Sequence, residues 1–254
     1  MSSLSMYTKI FVMEAKTENL KTWRTPSYVL PSLLFPLMFY LFFGIIFGHQ
    51  GMDGKMSAYL LGTYGVFGVM GPALFSFGAD IAVEKDKGLL QMKQVSPMPV
   101  VLYFLAKALT AMGFASVITL SIFVMGATLG DVQLEIAQWL STWCILLLGT
   151  IPFCAMGLCI GLTAKAQASA ALVNVIYLPM AFLSGLWIPI QTLPDIMHSV
   201  ANFMPAYHFA QLVLKVQGFD MGQSVWLHIG VLAAYTVLFT ALALRLFKRS
   251  NTRN

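Results

Sequence analysis

A chain of 254 residues with 58% hydrophobic and only 10% charged residues lies outside the range of water-soluble globular domains, which carry about 25% charged residues. The sequence reads as an all-α integral membrane protein forming one transmembrane domain over residues 1–254, and six spans of roughly 20 residues fit its length. The net charge of +5 is a matter of topology, because the basic residues gather at span ends instead of in one patch, and no nucleic-acid partner is expected.

An interfacial helix is predicted over about 7–24, where Ile10, Met13, Thr17 and Leu20 recur at helical spacing among Lys9, Lys16 and Lys21. The stretch before Pro26 is too polar for a cleavable signal, so the first span, predicted over 28–48, inserts as itself. The second span is predicted over 56–79. Its Gly62, Gly65, Gly68 and Gly71 sweep half the helix circumference and let neighbours approach on a broad face. Tyr64 and Phe67 lie among these glycines, where they could line a lumen or simply pack.

Residues 84–99, EKDKGLLQMKQVSPMP, are the longest polar interruption. A short helix over about 83–95 is expected, with ion pairs between near neighbours at Glu84, Lys85, Asp86 and Lys87. Leu89, Leu90, Met92 and Val95 give it an apolar side, Lys93 reads as a peripheral charge, and Ser96-Pro97 ends it. The third span, 101–129, carries Lys107 near its start, where the side chain is expected to snorkel to the interface. The fourth, 139–163, holds Pro152 and the three cysteines Cys144, Cys154 and Cys159, which have neither redox nor metal spacing. On the fifth, 168–189, Asn174, Tyr177, Ala181 and Ser184 form a polar or small stripe turned toward other helices or a watery path. Residues 191–222 read as two amphipathic helices separated at Pro205. His198 and His208 lie there near Asp195 without metal-ligand spacing, and His49 and His228 are expected at the interface. The last span is predicted over 224–247.

Thirteen Lys and Arg fall with the two tails, the Glu84 segment and the Lys165 loop, against Lys55 and Lys215 on the other side. Both termini are therefore expected in the cytoplasm. No Asp or Glu lies deep in a predicted span, no phosphate-binding loop occurs, and no nucleophile–base pair is placed for catalysis. Neither catalytic residues nor a cofactor or metal bound by this chain are expected. If the protein moves something, the energy comes from another chain.

Glu84-Lys85-Asp86-Lys87-Gly88, with Leu90 and then Ser96-Pro97, resembles the cytoplasmic coupling segment of the ABC-2 family of ABC transporter permeases, although Leu89 and Gln91 stand where the family often has Thr and Glu. Pro179 through Ser184-Gly185 to Pro189, then Leu193-Pro194 and Pro205-Ala206-Tyr207, is similar to that family's fifth span and its external re-entrant helices. The resemblance implies an ATP-driven exporter in the bacterial cytoplasmic (inner) membrane, moving a drug, lipid, glycan or ion outward. In it, two permease chains, as homodimer or heterodimer, would join two ABC ATPase subunits that hold ATP and Mg. Glu84, Lys85, Asp86, Lys87, Gly88, Leu89, Gln91, Met92 and Pro97 would couple to the ATPase. Spans two and five would lie nearest the shared axis, with Tyr64, Phe67, Asn174, Tyr177 and Ser184 on the path. The same hydropathy permits a non-transporting scaffold or a channel, and co-purification of an ATPase separates the alternatives.

Overall fold

Apolar run length, prolines and a few left-handed glycines set the elements of a computed structural model that describes residues 3–48, 55–95 and 99–251. Helix α1 (Ser3–Trp23) leads into α2 (Pro26–Phe39), whose Pro26 stands at the first helical turn, where no amide donor is needed. α2 continues directly as a π-helix, Tyr40–Ile46. The wider turn takes polar partners from α3 (Lys55–Asp86): the Ser57 hydroxyl donates to the Gly44 carbonyl at 2.5 Å, and the Tyr40 phenol donates to the Ser57 carbonyl at 3.3 Å.

α3 is the central post, buried against nearly every other element. At 1.5 Å per residue its 32 residues reach roughly 48 Å, well beyond a hydrocarbon layer of about 30 Å. The charged residues of its last turns, Asp80 and Glu84, are the part of that excess length least suited to hydrocarbon. The helix of the second span thus runs on past 79 to Asp86, and one expectation is corrected: no single helix covers 83–95, because nothing between Pro72 and Lys87 forbids helix and Glu84, Lys85 and Asp86 find partners on other elements. The chain turns only at Gly88, whose φ of +74° is left-handed, before the short α4 (Leu89–Val95).

α5 (Val100–Leu129) is followed by α6 (Ile136–Leu148) and α7 (Ile151–Thr163), two halves of the fourth span that break at Gly149-Thr150 just before Pro152. α8 (Ala166–Leu183) is shorter than predicted: Ser184 caps it and Gly185, at φ +71°, turns the chain away, so 184–189 lies outside the helix. A 3-10 turn (Ile190–Thr192), α9 (Asp195–Ala201), α10 (Pro205–Gln217) and α11 (Val225–Asn251) complete the chain. Among the described residues six helical units are long and apolar enough to cross a membrane: 26–46, α3, α5, α6 with α7, α8, and α11 up to Arg249.

Small residues bring the helices close, as the sequence suggested. A Cβ on Gly157 of α7 would meet the Leu74 carbonyl oxygen of α3 at 2.9 Å, and one on Gly161 would press on the Phe77 carbonyl oxygen. The four α3 glycines each admit a different neighbour: Gly62 faces Val213, Gly65 Leu146, Gly68 Pro36 and Ile118, and Gly71 Tyr177. α10 is almost wholly buried between α3, α6 and α11. Its Phe209 ring fills the space that Gly149 leaves open at the break in span four.

Candidate functional site

Where α1, α3, α4 and α5 meet, four carboxylates face three ammonium groups. Lys107 of α5, only 1% exposed, lies 3.0 Å from Glu18, 3.3 Å from Glu84 and 4.0 Å from Asp80. Lys21 of α1 pairs with the same Glu84 carboxylate, to which the Tyr103 phenol also donates. Burial weighs against the Lys21 ammonium, but Glu84, Asp80 and Glu18 outweigh it and hold its pKa above the usual lysine value. Lys93 of α4 pairs with Glu14 and lies 3.8 Å from Glu18, with its ammonium 4.1 Å above the Tyr103 ring. Buried charge is tolerable only when paired, so these contacts fix the four elements relative to one another.

The remaining charges of the 84–88 run reach another loop. Lys85 Nζ donates to the carbonyls of Leu162 (2.9 Å) and Ala164 (2.8 Å), the negative end of α7. Asp86 accepts from the Ala166 amide at 2.7 Å, at the first turn of α8. Each charge has the sign that its helix terminus favours. Lys87 is exposed, as are Leu89 and Met92 at 42% and 66%, while Leu90 is buried and anchors α4.

A second feature is a cavity of about 410 Å³ between α2, α3 and α8, lined by Tyr28, Phe35, Gly71, Phe75, Asn174 and Tyr177 among others. The Tyr177 phenol donates to the Phe67 carbonyl at 2.8 Å, and its ring stacks on Phe67 with centroids 4.9 Å apart.

The family model for ABC-2 type transporters matches residues 11–217, from the third turn of α1 to the end of α10. The chain belongs to the ABC-2 type transporter family. It is also similar to a Bacillus subtilis (strain 168) protein named "Putative transport permease YvfS", being 31% identical over 228 residues that cover 89% of this chain and 92% of that one. This ABC-2 permease is thus an integral membrane protein that moves a substrate across a membrane, and ATP is hydrolysed in a separate ATPase chain. It is not itself an enzyme, and the described residues contain no group of three His, Cys, Asp or Glu that could hold a metal.

In the permease the residues singled out from the sequence divide. Glu84, 5% exposed, belongs to the ionic junction, and Glu84, Lys85 and Asp86 pair with distant helices, not with one another, while Lys87 is exposed. Lys93 is no peripheral charge, and Lys107 does not snorkel, since Glu18 and Glu84 supply better partners than water. Gly88 has open space around it within the chain, and its turn requires glycine for the positive φ. Gln91 is half-buried, with Oε1 unpaired, and Ser96, Pro97 and Met98 lie outside the described residues.

The stripe on α8 also divides: Tyr177, Ala181 and Ser184 are buried, whereas Asn174 is exposed at the cavity. Tyr64 is buried and donates to the Trp187 carbonyl at 3.1 Å. Glu14 and Glu18, which share one face of α1 with Lys21 at spacings of three or four, are not singled out by the sequence. That spacing was the available signal.

His228, in the first turn of α11, is buried against the rest of the chain, and His49 lies outside the described residues. His208 Nε2 is 2.9 Å from the Asn202 carbonyl, which can only accept, so this nitrogen carries the proton. In the neutral ring His208 Nδ1 then accepts from His228 Nδ1–H at 2.8 Å. His208 thus ties α10 to α11, while His198 contacts the Leu193 carbonyl.

Proposed function

We propose that this permease is one half of an exporter in which α4 and the turn before it dock on an ABC ATPase, and the ionic junction transmits the resulting movement to spans two and three. One observation carries this reading: α4 presents Leu89 and Met92 outward although both its flanks are fastened, by Lys85 and Asp86 on one side and by Lys93 on the other. An exposed apolar knob on a fixed mount suits a partner that pushes. Lys87, Leu89, Gln91 and Met92 would touch the ATPase, and Glu84, Lys85, Asp86 and Gly88 would hold the mount.

The thirteen-to-two distribution of basic residues supports placing this end and both termini in the cytoplasm of a bacterial cell. The burial of α10, and Phe209 seated at the break in span four, support α9 and α10 re-entering from the outer face. Two permeases and two ATPases would form the complex, with ATP and Mg in the ATPases and the path along spans one, two and five. All 254 residues would act as one domain.

The test is co-purification of the ATPase from native membranes with a Leu89→Asp/Met92→Asp variant at matched expression. Two anchor positions of this kind predict a more than roughly tenfold loss of ATPase recovery while the permease stays folded. Unchanged ATPase recovery together with unchanged transport would refute the docking role.

A further inference from the structure

Along the first span, Phe35, Phe39, Phe43 and Phe47 fall four residues apart, with successive ring centroids 4.6, 5.8 and 5.9 Å apart. They form a ladder roughly 18 Å long, more than half of the hydrocarbon thickness. Phe35 at its foot lines the cavity, and Phe35, Phe43 and Phe47 remain 46%, 46% and 56% exposed. A second row stands behind the first: Phe67 lies 6.1 Å from Phe35, and Trp187 lies 6.0 Å from Phe39 and 5.6 Å from Phe67. None of the described residues lining the cavity carries a charge, and its hydroxyls and amide belong to Ser27, Tyr28, Ser32, Asn174 and Tyr177. Farther along, Trp187 Nε1 and Ser184 Oγ are buried without a hydrogen-bond partner.

We infer that the substrate is a neutral, flat aromatic amphiphile of drug size, taken into the cavity and passed along the phenylalanine ladder. The inference rests on the reading of spans one, two and five as the path. The cavity volume is that of a drug-sized site with few polar groups. A glycan would bring more hydroxyls than five polar side chains can satisfy, and an inorganic ion would meet no compensating charge. An acyl chain would fit the apolar lining but gains nothing from ring faces, whereas a planar ring system stacks on them rung by rung.

The experiment uses the full chain in phosphatidylcholine nanodiscs and 1-pyrenemethanol, a neutral flat probe excited by energy transfer from tryptophan, with empty nanodiscs subtracted. Saturable binding is expected, unaffected by maltoheptaose and displaced poorly by dodecanol. Phe35→Leu, which keeps apolar bulk but loses the ring, should weaken binding roughly two- to tenfold, and Phe35→Tyr should restore it. Phe35 is exposed, so neither variant threatens the fold.

Equal binding by Phe35→Leu, equal displacement by dodecanol, or no saturable binding would each overturn the inference. So would a light-scattering result in which Phe35→Leu splits a dimer without altering binding per chain, which would make the ladder a contact between copies. Binding needs no ATPase, so it separates from the path reading, which is judged by transport in Asn174→Trp: blocked transport without pyrenemethanol binding would keep the path and discard the substrate class.

Discussion

Replacing Lys107 with methionine preserves the length of the side chain but removes an ammonium group that is 1% exposed and reaches Glu18, Glu84 and Asp80 within 4.0 Å. The junction then holds four carboxylates against Lys21 and Lys93 alone, and Lys21 is 43% exposed at its side chain. Removing one member of a buried ion pair typically costs about 3–5 kcal/mol, because the partner stays buried without compensation. The expected loss in apparent melting temperature is on the order of 10 °C. Fluorescence-detected size exclusion after heating measures it, with ATPase recovery and transport read from the same membranes. Adding Glu84→Gln to Lys107→Met should recover part of the loss, since the neutral amide no longer needs the ammonium, so the pair should be non-additive by more than about 1 kcal/mol. A Lys107→Met protein that melts within 2 °C of wild type, or a double variant whose losses simply add, would show that the junction does not hold these helices together.

Asn174→Trp should cut transport more than roughly tenfold at normal expression, because the residue is exposed at the cavity mouth. Ser184→Trp should instead reduce folded protein, since Ser184 is 2% exposed and has no room; vesicle transport and monodisperse yield distinguish the two. Burial pushes the His208 pKa below its ordinary 6.5, only partly offset by the Asn202 carbonyl, with Tyr207 and His228 against its ring. Such a group contributes stability that is present above about 6.5 and lost as pH falls toward the lowered value, at about 1.4 kcal/mol per pH unit for one proton. Thermal stability should therefore fall on acidification in wild type and be flatter between pH 6.5 and 5 in His208→Gln; identical slopes would contradict the neutral histidine pair. For topology, a cysteine replacing Lys87 should resist impermeant maleimide in intact cells and react after permeabilisation, and labelling from outside would invert the arrangement.

Composition and periodicity determined that this is a six-span helical membrane protein, because a run of some 20 apolar residues has few alternatives to a helix in hydrocarbon. The glycines of α3 and the Gly157/Gly161 pair were legible for a related reason: a missing side chain on a span has little use except close packing. The 84–88 charges were legible as an unusual segment but not in their roles. Local spacing suggested that Glu84, Lys85, Asp86 and Lys87 pair with one another, whereas Glu84 meets Lys21 and Lys107, and Lys85 meets a carbonyl 77 residues away. Ion pairing depends on which helices are neighbours, and sequence spacing carries that information only within one helix. The same limit hid the histidine pair, whose members are 20 residues apart on helices that only the bundle brings together. The α8 stripe was sorted by tertiary packing too: one turn separates exposed Asn174 from buried Tyr177, because α3 covers part of that face and leaves the rest open at the cavity.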